Sequence, residues 1–361
     1  MVLCLSRKDR FMDLEFSPRL STTGIGSVPF TDSEEAVSFL LGADLSIPFW
    51  PQMPKRCFGE EMIPQDSKGM PCVRIDADRK KVALDMAGRM EEVEAFYHRF
   101  MEEDPSLFAL SHDIASGLYA FEHLAHGRQW PVVKGQTTGP VTLCTSIYDE
   151  QDNPLFADPD LRDAVVKTIV RKVQWQIGRL KPFASDRVLM FVDEPVLSAF
   201  GSSTYIYLSE PDVQAMLGEV FEAITGAGGI TAIHVCGNSD WGVIVRSGVQ
   251  VINFDAYQYG TSISLYADDI KALFDRGGSI AWGIIPTTAA LSKETTETLV
   301  QRLERCFEAM IRKGFSRELL RERAMLTPSC GTGSLSPHEA GRVFTLLREV
   351  RDRVLSQGKW I

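Results

Sequence analysis

Short apolar runs alternate with longer segments whose apolar residues recur every three or four positions, from about residue 20 onward. The runs read LSTTGIGSVPF, ADLSIPFW, WPVVKGQTTGPVTL, RVLMFVDEPVL, GITAIHVCG, VQVINFDAY, SIAWGIIP and RAMLTPSCGTG. Between them lie DSEEAVSFLLG, KVALDMAGRMEEVEAFYHRFMEE, PDLRDAVVKTIVRKVQWQIGRL, EPDVQAMLGEVFEAIT, TETLVQRLERCFEAMIRKG and SPHEAGRVFTLLREVRDRVL, each with the period of a helix that buries one face. Several open on Ser, Thr or Asp followed by acidic residues, the expected start signal of a helix. Near-continuous apolar strands alternating with helices predict parallel strands covered on both faces. Eight such units predict a closed (β/α)8 TIM barrel as one domain over residues 20–361, in preference to an open doubly wound sheet. Residues 1–19 read as a leader packed on that barrel. The irregular stretch PQMPKRCFGEEMIPQDSKGMPCVRID, after the second run, is expected to cross the barrel mouth.

Composition narrows the function classes. With 44% hydrophobic and 24% charged residues the chain has material for a large core, and no apolar run approaches the roughly 18 to 20 residues of a membrane span. The N-terminal MVLCLSRKDRFMDLEF lacks the ordered regions of a signal peptide, so a cytoplasmic location is expected. The net charge of −10 is spread along the chain, and the basic clusters DRKK and RELLRERA fall in helical segments, which argues against nucleic acid as a partner. Seven cysteines without regular spacing do not form a disulfide framework; their thiols are free to pack or to bind metal.

Parallel barrels build their sites at the C-terminal ends of strands. Reactive side chains collect there: Gly26 and Ser27; Gln136, Thr138 and Gly139; Asp193 and Glu194; His234 and Cys236; Asp255 and Tyr257; Ser329 and Cys330. Residues at i and i+2 of a strand share a side, so His234 and Cys236 can reach one ion. By itself an H-x-C pair also suits two core residues; Cys330, at the last strand end, turns the reading toward a zinc site, with Asp255 as a labile fourth oxygen ligand. Cys4, Cys57, Cys72 and Cys144 lack partners at ligand spacing, Cys306 falls on a helix face, and the remaining histidines lie in helices, in the loops between them or near a helix start. Asp193 is the better placed of the DE pair for substrate contact, with Glu194 as its support, because successive strand residues face opposite ways. The GIGSVP turn lacks a full G-x-G-x-x-G and the acidic residue that follows it, which excludes dinucleotide binding.

These segments resemble, in the same order from residue 22 to about 331, the catalytic half of cobalamin-independent methionine synthase: TTGIGSVPFT its I-G-S-F-P, TTGPVTL its G-P-V-T-I-L, DEPVL its D-E-P-A-L, IHVCG its zinc-binding H-x-C, QVINFD its V-I-T-I-E, and PSCG its last zinc cysteine. The wider barrel superfamily includes uroporphyrinogen decarboxylase and the zinc methyltransferases acting on methylcobamide and coenzyme M, whose H-x-C-G-N is similar to HVCGN here. The resemblance implies zinc on His234, Cys236 and Cys330, with Asp255 where the synthase has a longer glutamate ligand. It implies a substrate carboxylate on Ser27 and the backbone around Ile25, and an amino group on Asp193. Gln136 is expected as a further substrate contact, and Glu61 or Glu60 in place of the synthase's second amine-binding carboxylate, whose segment is absent. A thiol methyltransferase is implied, with homocysteine as acceptor. Because one barrel has no room for the synthase's second, folate-binding one, a methylated corrinoid protein is the expected donor. Three alternatives stand beside this reading: a coenzyme M-like acceptor, a decarboxylase acting on a tetrapyrrole, and an accessory protein that binds zinc or corrinoid without turnover.

Overall fold

The computed structural model describes residues 16–357, so the expected leader falls outside the described residues up to position 15. Nine strands follow in chain order: β1 (Ser21–Thr22), β2 (Val73–Asp76), β3 (Lys81–Leu84), β4 (Trp130–Thr138), β5 (Ala184–Asp193), β6 (Ile230–Val235), β7 (Val251–Phe254), β8 (Ser279–Ile285) and β9 (Ala324–Pro328). Seven of them form one curled parallel sheet in the order β1-β9-β8-β7-β6-β5-β4, and helices connect successive strands. This is the α/β alternation that the sequence pattern predicts.

The closed eight-stranded barrel needs correction, because the hydrogen-bond ladder is open between β1 and β4. The predicted second strand, ADLSIPFW, runs through this gap but makes only single bridges, Phe49 with Lys134 and, just beyond it, Ser27 with Gln52. Ile47 N donates to Thr22 O on one side at 3.0 Å, and Lys134 N donates to Pro48 O on the other at 2.8 Å. Pro48 and Pro51 explain the interruption: each lacks the N–H that a strand between two neighbours must donate. The result is a TIM-like sheet with a proline-broken seam.

The excursion after the seam is more ordered than its sequence suggests. It contains the helix Met62–Ser67 and leads into an antiparallel hairpin of β2 and β3. KVAL, which the helical period assigned to a helix, is strand β3; the helix begins only at Arg89. Asp76 Oδ1 accepts from Arg79 N across the intervening turn, which holds the two strands together in a way helical periodicity cannot register.

Two apolar cores position the site. The larger lies between the sheet and its helices. The smaller fills the curled interior with Val132, Leu189, Phe191, Ile230, Ala232, Val251, Ala281 and Met325, along with Phe16 and Ile47. Side chains alternate along a strand, so the inward positions one step above this plug are Lys134, Asp193, His234, Asn253 and Thr327. Long helices close the outside, such as Pro159–Leu180, whose N-cap Asp158 accepts from the backbone N–H groups of Asp160 and Leu161. Among the described residues no helix is long and apolar enough to cross a membrane.

Candidate metal centre

Strand register sets the floor of the site. Asp193 on β5 pairs with His234 on β6, and His234 with Asn253 on β7, so the three side chains stand in one row. Cys236 lies two residues past His234, beyond the end of β6, and Cys330 two residues past the end of β9. His234 Nε2 is 3.1 Å from Cys236 Sγ, which is 3.3 Å from Cys330 Sγ. One donor atom from each of the three lies within 4.8 Å of the others, and among the described residues this is the single group of its kind.

Charge within the group is shared unequally. The hydrogen bond from Cys236, and then His234, bring the Cys330 thiol down to about 4 against the opposing effect of burial. Cys236 is pushed well above its ordinary value, by its bond to Cys330 and then by burial. Burial would lower His234, but Cys330 and Asp193 outweigh it and raise its pKa. An imidazole and two sulfurs are a donor set for a borderline-soft cation with a fourth position open.

A cavity of about 290 Å³ adjoins the group, lined by Ile25, Ser27, Gln52, Glu61 and Asp193 among others. Asp193 is 4% exposed and its Oδ1 has no hydrogen-bond partner. Burial raises its pKa to about 6, with His234 and Lys134 acting against the rise. Ser27 Oγ accepts from Gly333 N at 3.3 Å. A Cβ at Gly331 would lie 2.1 Å from the Ser27 hydroxyl, so a larger residue there would have to displace it. Glu61 is the N-cap of Met62–Ser67 but makes no side-chain bond to that helix. Its neighbour Glu60 also faces the cavity, yet is committed to Met53 N, the backbone and hydroxyl of Ser116, and Arg56.

Three residues singled out in the sequence stand apart from the ligand group and the cavity lining. Asp255 caps a short helix, accepting from Gln258 N at 3.0 Å and Gln258 Nε2 at 2.7 Å. Gln136 is fully buried and spends its amide on Trp50 O and Lys134 Nζ. Glu194 faces away from the cavity and caps the helix Pro140–Ser146, accepting from Val141 N, Thr142 N and Thr142 Oγ1 at 2.6 to 2.9 Å.

Two interior residues were missed. Lys134 is fully buried, donates to Ile25 O and Gln136 Oε1, and lies over the rings of Phe191 and Phe49. Burial lowers it to about 7, with Asp193 opposing. A lone lysine in the apolar run WPVVKGQTT is a signal the sequence does carry. Asn253 is the second, bonded through Oδ1 to His234 Nδ1 at 2.5 Å.

No family profile and no curated protein matches the chain. Among solved structures it is similar to a B12-independent methionine synthase from Shewanella sp. W3-18-1 in complex with selenomethionine, at 15% identity and a TM-score of 0.43 over 66% of each chain. It is also similar to the 3-keto-D-glucoside 4-epimerase YcjR of E. coli, at 12% identity and 0.37 over 71% of this chain and 93% of that one. A third likeness is to an amidohydrolase, at 12% identity and 0.28 over 71% and 68%. At these values the three stand as remote likenesses in fold.

Proposed function

We propose that the chain is a zinc-dependent methyltransferase acting on a small thiol that also carries an amine, with homocysteine the favoured acceptor and a methylated corrinoid protein the favoured donor. The observation that carries this reading is the convergence of His234, Cys236 and Cys330 beside a cavity that the buried carboxylate of Asp193 also lines. Zinc on those three donors would hold a substrate thiol deprotonated, and therefore nucleophilic, at neutral pH.

The chain's own side chains supply orientation. Asp193 receives the substrate ammonium, and Glu61 stands on the same cavity as a second contact. Ser27 and the backbone at Ile25 take the carboxylate. The cavity holds acceptor and methyl group within reach of each other. In the transfer the sulfur–methyl bond forms as the donor–methyl bond breaks, and the thiol proton passes to solvent.

Cavity charge distinguishes the rivals. A coenzyme M-like acceptor bears a sulfonate and a tetrapyrrole several carboxylates, whereas among the described residues the lining has Glu60, Glu61 and Asp193 and neither Lys nor Arg. Anionic ligands of either kind would meet like charge.

Elemental analysis of protein prepared with zinc and without chelators tests the reading, comparing wild type with Cys236→Ser and Cys330→Ser. About one zinc per chain in wild type and its loss in both variants is expected; metal-free wild type would sink the proposal. Methyl transfer to homocysteine, assayed with methylcorrinoid-protein and methyl-folate donors, then separates an enzyme from an accessory protein that binds zinc without turnover.

A further inference from the structure

Asn253 has only one orientation that satisfies its surroundings. Its Nδ2 lies 2.8 Å from the carbonyl of Ala281 and 2.8 Å from Thr327 Oγ1. A carbonyl can only accept, so the face toward Ala281 is the NH2 group. The amide oxygen therefore faces His234, and a hydrogen bond to an amide oxygen requires the proton on Nδ1. That leaves the neutral imidazole with its lone pair on Nε2, the atom 3.1 Å from Cys236 Sγ.

We propose that Asn253 is a positioning residue that selects the Nδ1–H tautomer of His234 and so aims the Nε2 lone pair at the two cysteine sulfurs. From β7 its side chain ties β6, which carries His234, to β8 and to β9, which leads into Cys330. Without it the imidazole could offer Nε2–H to the sulfurs instead, and a protonated nitrogen cannot bind a cation. The purpose of this selection rests on the metal reading above; the tautomer itself belongs to the protein without metal.

The experiment therefore begins with reduced, metal-free protein labelled with 15N-histidine, at a pH where the imidazole is neutral, with His234 assigned by comparison with His234→Gln. Nitrogen–proton correlation spectra should give Nδ1–H for wild type and a mixture or Nε2–H for Asn253→Leu. Asn253→Asp keeps an acceptor toward Nδ1, its other oxygen protonated against the Ala281 carbonyl, and should restore the wild-type tautomer. Zinc affinity, measured by chelator competition, should fall about 10- to 100-fold in Asn253→Leu and recover in Asn253→Asp. If Asn253→Leu does not fold, Asn253→Ala, which removes the amide without adding bulk, should still raise the Nε2–H share. An Nε2–H signal in wild type, or an unchanged tautomer and zinc affinity in the variants, overturns the proposal. Wild type that shows Nδ1–H yet binds no zinc refutes the metal reading and leaves the selection by Asn253 standing.

Discussion

Asp193 and Glu194 are adjacent carboxylates given opposite tasks by the alternation of a strand. Asp193 keeps an unpartnered oxygen beside the cavity, while Glu194 spends both oxygens on a helix start. Replacing Asp193 with Asn should lower kcat/KM for an amine-bearing thiol by about 100-fold, the loss expected when one partner of a buried charge pair is removed. A thiol lacking the amine should be affected far less. Since the Asp193 pKa is raised to about 6, chiefly by burial, binding of the ammonium should weaken as pH falls through that value. Glu194 is raised to about 7, again chiefly by burial and against the hydrogen bonds it accepts. The folded protein therefore keeps a proton there that the unfolded chain releases, and its contribution is complete below about pH 4.5 and lost as pH rises through 7. On the order of 3 kcal/mol is at stake, and the melting temperature of Glu194→Gln should lack that part of the decline. That His234, Cys236 and Cys330 would meet was legible because His and Cys at strand ends are distinctive. Asn253 was not, since an amide inside VINF becomes meaningful only when register sets it against His234.

At the scale of elements, the parallel strands and the long helices were legible through their periods, and the seam was not. ADLSIPFW has the apolar content of a strand, but ladder formation depends on backbone donors, and Pro48 within it and Pro51 just after it remove them. Side chains hold the segment in place instead. Phe49 is 1% exposed and packs on Gly24 and beneath Lys134. Phe49→Ala should cost about 3 to 5 kcal/mol by denaturant titration. Helix Ser116–Leu124 approaches the backbone carbonyl of Pro51 so closely that a Cβ at Gly117 would collide with it. Gly117→Ala should therefore destabilise by about 1 to 3 kcal/mol, and a smaller effect would mean that the segment is free to yield.

For the whole molecule, the alternation of strands and helices was enough to indicate a TIM-like α/β fold, whereas the failure of the barrel to close at the proline-broken seam lay beyond any pattern of apolar residues. Ligand binding should report on the integrity of that unit. A metal that binds only the folded chain stabilises it by about 2.7 kcal/mol at a hundred times its dissociation constant. Added zinc should raise the melting temperature of the wild type, chelator should lower it, and neither should move Cys330→Ser. The seam has a wider consequence. Asp193, His234, Cys236 and Cys330 come from strands locked in a continuous ladder or the turns just after them, whereas Gln52, Glu61 and Met62 reach the cavity from chain anchored by separate bonds. A lineage could exchange residues 52–62 to accommodate a new acceptor while inheriting the sulfur pair unchanged, so grafting that segment between such chains should transfer substrate preference without re-engineering the metal ligands.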